Sequence, residues 1–184
     1  KKGNLTSESF YHKEGITSVR SGSKGPSYRY LPPNCVFDNG GTSIFGGNYS
    51  NEMSSLAYLN SSLANYVIDC LNPTVNTQIF DIKRMPFVPV SGNVEKTLSR
   101  LAKSSIAITQ YLNRYSIIEL EFDASPFCEF GKTADFWQRI LAFCNFENHL
   151  LTQVLINEAI INDKIFEVYG LTEHDKSMVL AKEG

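Results

Sequence analysis

The stretch "SYRYLPPNCVFDNGGTSIFG", Ser27 to Gly46, decides the fold class. Tyr28-Arg29-Tyr30-Leu31 reads as a short strand closed by Pro32-Pro33, because proline has no N–H to give to a ladder. Cys35-Val36-Phe37-Asp38 reads as a second strand. Asn39-Gly40-Gly41 is the strongest turn signal in the chain, since Asn and Gly accept the positive φ of a tight hairpin. Thr42 to Gly46 then reads as the returning strand. Just upstream, "ITSVRSGSKG" mixes β-prone residues with breakers, and Gly22, Gly25 and Pro26 force a loop. The pattern of strand, strand, turn, strand predicts a small mixed or antiparallel sheet.

Working outward, the texture becomes helical. Met53, Leu56, Leu59, Leu63, Tyr66, Val67 and Cys70 recur at three- and four-residue steps, which predicts one amphipathic helix over 51–71. Ser50 or Asn51 can cap it, Glu52 suits the positive end of its dipole, and Asn72-Pro73 stops it. Val94, Leu98, Leu101, Ile108 and Leu112 mark a second helix. "SIIELEFD" (116–123) alternates apolar and acidic residues as a strand or an extended strap. A long helix opening near Thr133 carries apolar residues from Phe136 to Val168. It is either one arm of a bundle or is broken near 145–148, and Gly170 ends it. Thr172 opens a final capped turn. The chain is thus expected to be α+β, with a sheet and packed helix over 1–90 and a helical region over 91–184.

Composition bounds the function. The 184 residues are 42% hydrophobic and 20% charged, as in a folded globular protein. No run approaches the roughly 18 apolar residues of a membrane span. The polar start, without an initiator Met, suggests a fragment or a processed chain. Cys35, Cys70, Cys128 and Cys144 form no CxxC pair and no zinc-type cluster with histidine, so they read as reduced, mostly buried thiols of a cytoplasmic protein. The net charge of −2 does not advertise nucleic-acid binding. Its distribution is uneven: residues 1–90 hold eight Lys/Arg against six Asp/Glu, and 91–184 hold nine against thirteen. That asymmetry suits a phosphate-facing first half, and equally suits scattered solvated charges.

Catalytic motifs are missing. There is no GxSxG, HExxH or P-loop. "GGTSIFGG" is rich in glycine but lies outside any strand–GxGxxG–helix unit. His12, His149 and His174 stand far apart in sequence. Glu119, Glu121 and Asp123 could hold a divalent cation with an unrecognised active site, although a solvated edge is the simpler reading. The sequence therefore assigns no catalytic residue, no metal and no cofactor to these residues. Recognition fits better. Arg29 lies between Tyr28 and Tyr30, with Lys13, Arg20 and Lys24 nearby; arginine and lysine pair with phosphates, and arginine can fork onto guanine. Asn76 and Gln78 could read a base edge or could clamp their own loop, and Lys83-Arg84 would stay outside. Ile79, Ile82 and Met85 are expected to pin that return onto the core.

In order along the chain, Glu14-Gly15-Ile16-Thr17, Arg29-Tyr30, Phe37-Asp38, Gly41, Ser43-Ile44-Phe45, Leu59-Asn60-Ser61, Leu71-Asn72-Pro73-Thr74, Asn76, Gln78 and Asp81-Ile82 resemble the C-terminal part of the PglX family. These are adenine-specific DNA methyltransferases of BREX phage-defence systems, related to the type IIG restriction–modification enzymes. The resemblance continues more weakly through "LAKSSIAITQYLN", "ELEFDASPF" and "INEAIINDKIFEVYGL", and so covers nearly the whole chain. Two family tryptophans are missing here, one replaced by Val19 or deleted. The "NPPY" motif that holds the flipped adenine is absent, as is the S-adenosylmethionine loop. The resemblance implies a target-recognition region, with Lys13, Arg20, Lys24, Arg29, Tyr30, Asn76, Gln78, Lys83 and Arg84 on double-stranded DNA. It also implies S-adenosylmethionine in a parent enzyme, a separate methyltransferase domain and other defence-system proteins as partners, and no membrane. The alternative is a stand-alone specificity or interaction subunit never joined to a methyltransferase.

Overall fold

The computed structural model describes residues 8–19, 26–37, 40–46, 49–131 and 135–182. It is α+β, as expected. Three strands, β1 (Gly15–Val19), β2 (Tyr28–Leu31) and β3 (Gly41–Ile44), form an antiparallel sheet in the order β2-β1-β3. Seven helices come after the sheet among the described residues: α1 (Tyr49–Leu59), α2 (Ser62–Leu71), α3 (Ile79–Arg84), α4 (Gly92–Asn113), α5 (Pro126–Glu129), α6 (Phe136–Val168) and α7 (Glu173–Leu180). They belong to two compact units. Unit 1 is Lys1–Arg100 with Ile161–Gly184, and unit 2 is Leu101–Ile160. α4 and α6 each supply residues to both.

Two of the three predicted strands stand, and the partner of the last one differs. Residues 35–37 are not a strand, and β3 pairs with β1 through Ile16↔Ile44 and Thr17↔Ser43. The prolines at 32 and 33 have no N–H to offer a ladder, so pairing stops at Leu31. Phe37 instead joins an aromatic cluster, 5.2 Å from Phe45 and 5.2 Å from Tyr11, with Phe10 stacked 5.0 Å from Phe45. Gly15 is needed beneath this cluster: a Cβ there would lie 2.6 Å from the Ile44 carbonyl and 2.8 Å from the Phe45 ring. Gly22, Gly25, Asn39 and Thr133 lie outside the described residues.

The single helix expected over 51–71 is two. α1 begins at Tyr49, so Ser50 and Asn51 sit inside its first turn rather than at its cap. The break falls at Asn60-Ser61. Ser61, fully buried, accepts from the Ala64 N–H at 3.2 Å and donates to the Tyr58 carbonyl at 2.7 Å, so it ends one helix and caps the next. The restart shifts the phase of the apolar face. Ala64 and Ile68 go inside, Tyr66 and Val67 are half-buried, and Cys70 is exposed. Cys128 and Cys144 are exposed as well and Cys35 is half-buried, so the four thiols are free but not mostly buried.

The core of unit 1 joins Ile16 and Tyr28 of the sheet to Met53, Leu56, Leu59, Leu63 and Ile68, together with Leu98, Ile165 and Phe166. In unit 2 the segment 116–123 is a run of turns and not a strand. Tyr115 there packs on Phe130 and Phe143, and its hydroxyl donates to Glu129 at 2.7 Å. α6 is unbroken through 145–148. Inside it, buried Asn157 donates to Ser104 and Ser105 of α4 at 3.3 and 3.2 Å and accepts from Gln153 at 3.1 Å. Gly170 ends α6 with φ +63°, the Gly170 N–H donating to Glu167 and the Leu171 N–H to Phe166, a Schellman closure. Thr172 and Asp175 then form a capping box for α7.

Candidate nucleic-acid interface

Unit 1 carries the residues expected to meet a nucleic acid. On the sheet, cross-strand register places Arg29, Thr17 and Ser43 in one row. Arg29 is exposed, while the Ser43 hydroxyl donates to Thr17 at 3.2 Å and Thr17 to the Thr42 carbonyl at 3.4 Å. Tyr30, half-buried, donates its hydroxyl to Glu14 at 3.0 Å. Lys13 is exposed, its ammonium 5.3 Å from the Phe10 ring. Arg20 and Lys24 lie outside the described residues.

Asn60 holds this face in place. Its carboxamide accepts from the Tyr28 N–H at 3.0 Å and donates to the Tyr28 carbonyl at 2.9 Å, so one side chain makes both bonds that a neighbouring strand would make. It also donates to the Leu56 carbonyl at 3.2 Å, near the end of α1. The position of β2, and of Arg29 on it, is therefore tied to α1. Burial pushes the Tyr28 phenol up to about 12.

The second group lies on the loop after α2. Asn72 organises it: the Thr74 N–H and hydroxyl donate to its Oδ1 at 3.0 and 2.6 Å, and its Nδ2 donates to the Asn76 carbonyl at 3.0 Å and to Asp81 at 2.7 Å. Asp81 also accepts the Gln78 N–H at 2.9 Å, which starts α3. These donors, Asn72 first, hold the Asp81 carboxyl below the usual carboxylate range. The Asn76 carbonyl and the Gln78 N–H thus serve the loop, Gln78 and Asp81 form the capping box of α3, and both Asn76 and Gln78 are exposed. Lys83 and Arg84 project from α3, with Arg84 5.6 Å above Phe80. Met85 is buried as expected, and Ile82 is half-buried. Ile79 is 58% exposed, so it does not pin the return; it occupies the first turn of α3, on the side away from Asp81.

The pinning comes instead from two tyrosines. Tyr58 and Tyr169, stacked 5.5 Å apart, both donate to the Pro86 carbonyl, at 2.7 and 2.6 Å, and the Val88 N–H donates to Tyr169 at 3.0 Å. Burial raises the Tyr58 phenol far above its ordinary range. The strap 86–90, the sheet and α1 flank an open cleft of about 360 Å³, lined among others by Ile16, Phe45, Glu52 and Phe87. Sequence periodicity could not show Asn60, Tyr58 or Tyr169 in these roles. Each is polar at a position that helical spacing reads simply as the end or face of a helix.

Charge pairing divides the chain. Among the described residues, Lys13, Arg29, Lys83 and Arg84 form no ion pair with an acid, and neither do Lys96 and Arg100 at the start of α4. Arg114 meets Asp123 and Glu129, Lys164 meets Glu167, Lys176 meets Glu173, and Lys182 meets Asp69. Asp123 is therefore held by a cation, and the described residues contain no group of three or more His, Cys, Asp or Glu able to hold a metal.

No helix among the described residues is long and apolar enough to cross a membrane. No protein-family model matches the chain. Two curated proteins are similar to nearly all of it. The adenine-specific methyltransferase BrxX of Escherichia coli O9:H4 (strain HS) is 30% identical over 172 residues, 92% of this chain. The adenine-specific methyltransferase PglX of Lacticaseibacillus casei (strain Zhang) is 25% identical over 169 residues, 89% of this chain. The chain spans 14% of the length of each. It is homologous to adenine-specific methyltransferases along about nine-tenths of its own length, and to about one-seventh of theirs.

Proposed function

We propose that this chain is the DNA sequence-recognition portion of an adenine-specific DNA methyltransferase of the BREX or restriction–modification kind. The chemistry belongs to a methyltransferase domain elsewhere in the parent. In this reading residues 1–90 read DNA and 91–184 are a helical companion region. S-adenosylmethionine binds the parent rather than this piece, and the assembly works in the cytoplasm beside other defence proteins. Homology to two adenine-specific methyltransferases along about nine-tenths of the chain carries the reading. The described cations of residues 1–90 support it, because none lies within ion-pair distance of a described acid.

Physically, Lys13, Arg29, Lys83 and Arg84, with Arg20 and Lys24, would neutralise phosphates. Tyr30 would pack on sugar or base. Asn76 and Gln78, both exposed on the loop, would present their side-chain amides to base edges. A fluorescent duplex titrated at several salt concentrations tests this. Phosphate contacts give a log–log slope of about −0.9 per contact, so binding should fall steeply with salt. Removing charge at Arg20, Lys24, Arg29, Lys83 and Arg84 together should flatten that slope. Binding unchanged in that variant would remove this face from consideration.

A further inference from the structure

The observation is an uncharged, apolar helix face left open to solvent. Between Ile140 and Asn157, α6 contains a single Asp, Glu, Lys or Arg, namely Glu147. Trp137, Leu141, Cys144, Leu151 and Leu155 recur at three-, four- and seven-residue steps, and therefore lie along one stripe of this unbroken helix, with Asn148 the polar residue among them. All five are exposed: Trp137, the chain's only tryptophan, at 73%, Leu141 at 61% and Leu155 at 64%. The same unit exposes Ile117, Ile118 and Leu120 almost completely. The opposite side of α6 already has its partners, since Asn157 is buried against α4 and Phe143 and Phe146 pack among the aromatic residues of unit 2. A large bare apolar stripe marks a contact surface. Depletion of charge and an exposed tryptophan are features of interface cores.

We infer that this stripe is an intramolecular docking face, covered by an apolar, weakly charged surface of the parent polypeptide outside these 184 residues. The inference rests on the proposed function, because it needs a parent. The homologous methyltransferases supply the argument for that occupant: the chain matches 14% of their length, leaving most of each protein to lie against something. A charged partner such as DNA is a poor match for a face that offers no cation.

Cys144 supplies the reporter, because its free thiol sits on the stripe, while Cys70 is exposed in unit 1. N-ethylmaleimide labelling is measured peptide by peptide in the 184-residue chain and in the natural polypeptide that contains it. The expected result is labelling of Cys144 slowed on the order of ten-fold or more in the long polypeptide, with Cys70 alike in both. Leu141→Glu with Leu155→Glu should restore fast Cys144 labelling in the long polypeptide and leave melting of the short chain unchanged, since both residues are already exposed there. Equal Cys144 labelling in both proteins, with duplex binding intact, overturns the docking face and leaves the proposed function standing. Slow Cys144 labelling with no duplex binding overturns the DNA-reading role and keeps the docking face. Protection of Cys144 in the short chain that grows with its concentration assigns the face to a second copy and overturns the inference. A natural polypeptide no longer than these residues overturns both.

Discussion

Residues 8–90 and unit 2 expose opposite kinds of chemistry. In the first, the described cations Lys13, Arg29, Lys83 and Arg84 stand without a described acid in ion-pair range, while the uncharged polar side chains Asn60, Ser61 and Asn72 are engaged within the fold. In unit 2 the cation Arg114 is held by Asp123 and Glu129, and the surface offers Trp137, Leu141 and Leu155 instead. Unpaired charge suits a polyanion, whose counterions are released on contact, and bare apolar surface suits a protein, whose water is released. One chain thus presents two surfaces of contrasting chemistry.

The comparison can be broken where the expected effect is largest. Replacing Lys13, Arg29, Lys83 and Arg84 together with glutamine should lower the salt dependence of duplex binding by roughly three to four in log–log slope, about 0.9 for each phosphate no longer neutralised, with the melting temperature nearly unchanged. The same change at Lys164 and Lys176 should leave the slope alone. A stability probe comes next. Leu98 is fully buried in unit 1, and Leu98→Ala should cost about 2–5 kcal/mol in urea unfolding. Leu155→Ala, at 64% exposure, should cost within about 0.5 kcal/mol in the 184-residue chain. Equal costs would mean that α6 is covered after all.

Asn60→Ala tests whether the sheet face depends on its clamp. It strands the Tyr28 N–H and carbonyl, so a loss of about 1–3 kcal/mol is expected, with faster hydrogen exchange at the Tyr28 amide than at Thr17. Asp81 gives a pH test with a defined sign. Its folded pKa is depressed, so the stability it contributes is fully present above the ordinary aspartate value near pH 4 and is lost as pH falls through the lower folded value. Asp81→Asn has no such contribution to lose. Urea unfolding at a series of pH values below about 5 should therefore show a smaller drop in stability for Asp81→Asn than for the unsubstituted chain. The smallest effect belongs to the exposed pair Lys164–Glu167, where Lys164→Ala should change stability by about 0.5 kcal/mol or less.

Much of this was legible in the sequence, for reasons that can be named. β2, the stop at Asn72-Pro73, the α4 stripe and the Gly170 closure come from local rules of proline, glycine and apolar spacing. The failures share one cause, which is that local rules cannot see what a side chain finds across the chain. Phe37 left its predicted strand for Phe45 and Tyr11. The helix over 51–71 broke because Ser61 is buried as a cap and Asn60 is recruited by β2. Ile79 was expected inside from its spacing with Ile82 and Met85, but the Asn72–Asp81 bond sets the start of α3 and turns it outward. For the candidate site, the sequence allows Asn76 and Gln78 as base readers or loop clamps; the Asn76 carbonyl and the Gln78 N–H serve the loop, and both residues lie on the surface. The aligned motifs Leu59-Asn60-Ser61 and Leu71-Asn72-Pro73-Thr74 turn out to be the scaffold's fasteners.

The Asn60 carboxamide also determines what the sheet is unable to do. β2 is an edge strand, and strand edges normally recruit whatever extended peptide passes by, including other copies of themselves. At Tyr28 that vacancy is filled from within the molecule, so the border cannot lengthen there by templated pairing. A visitor at Tyr28 meets side chains rather than a borrowed backbone ladder.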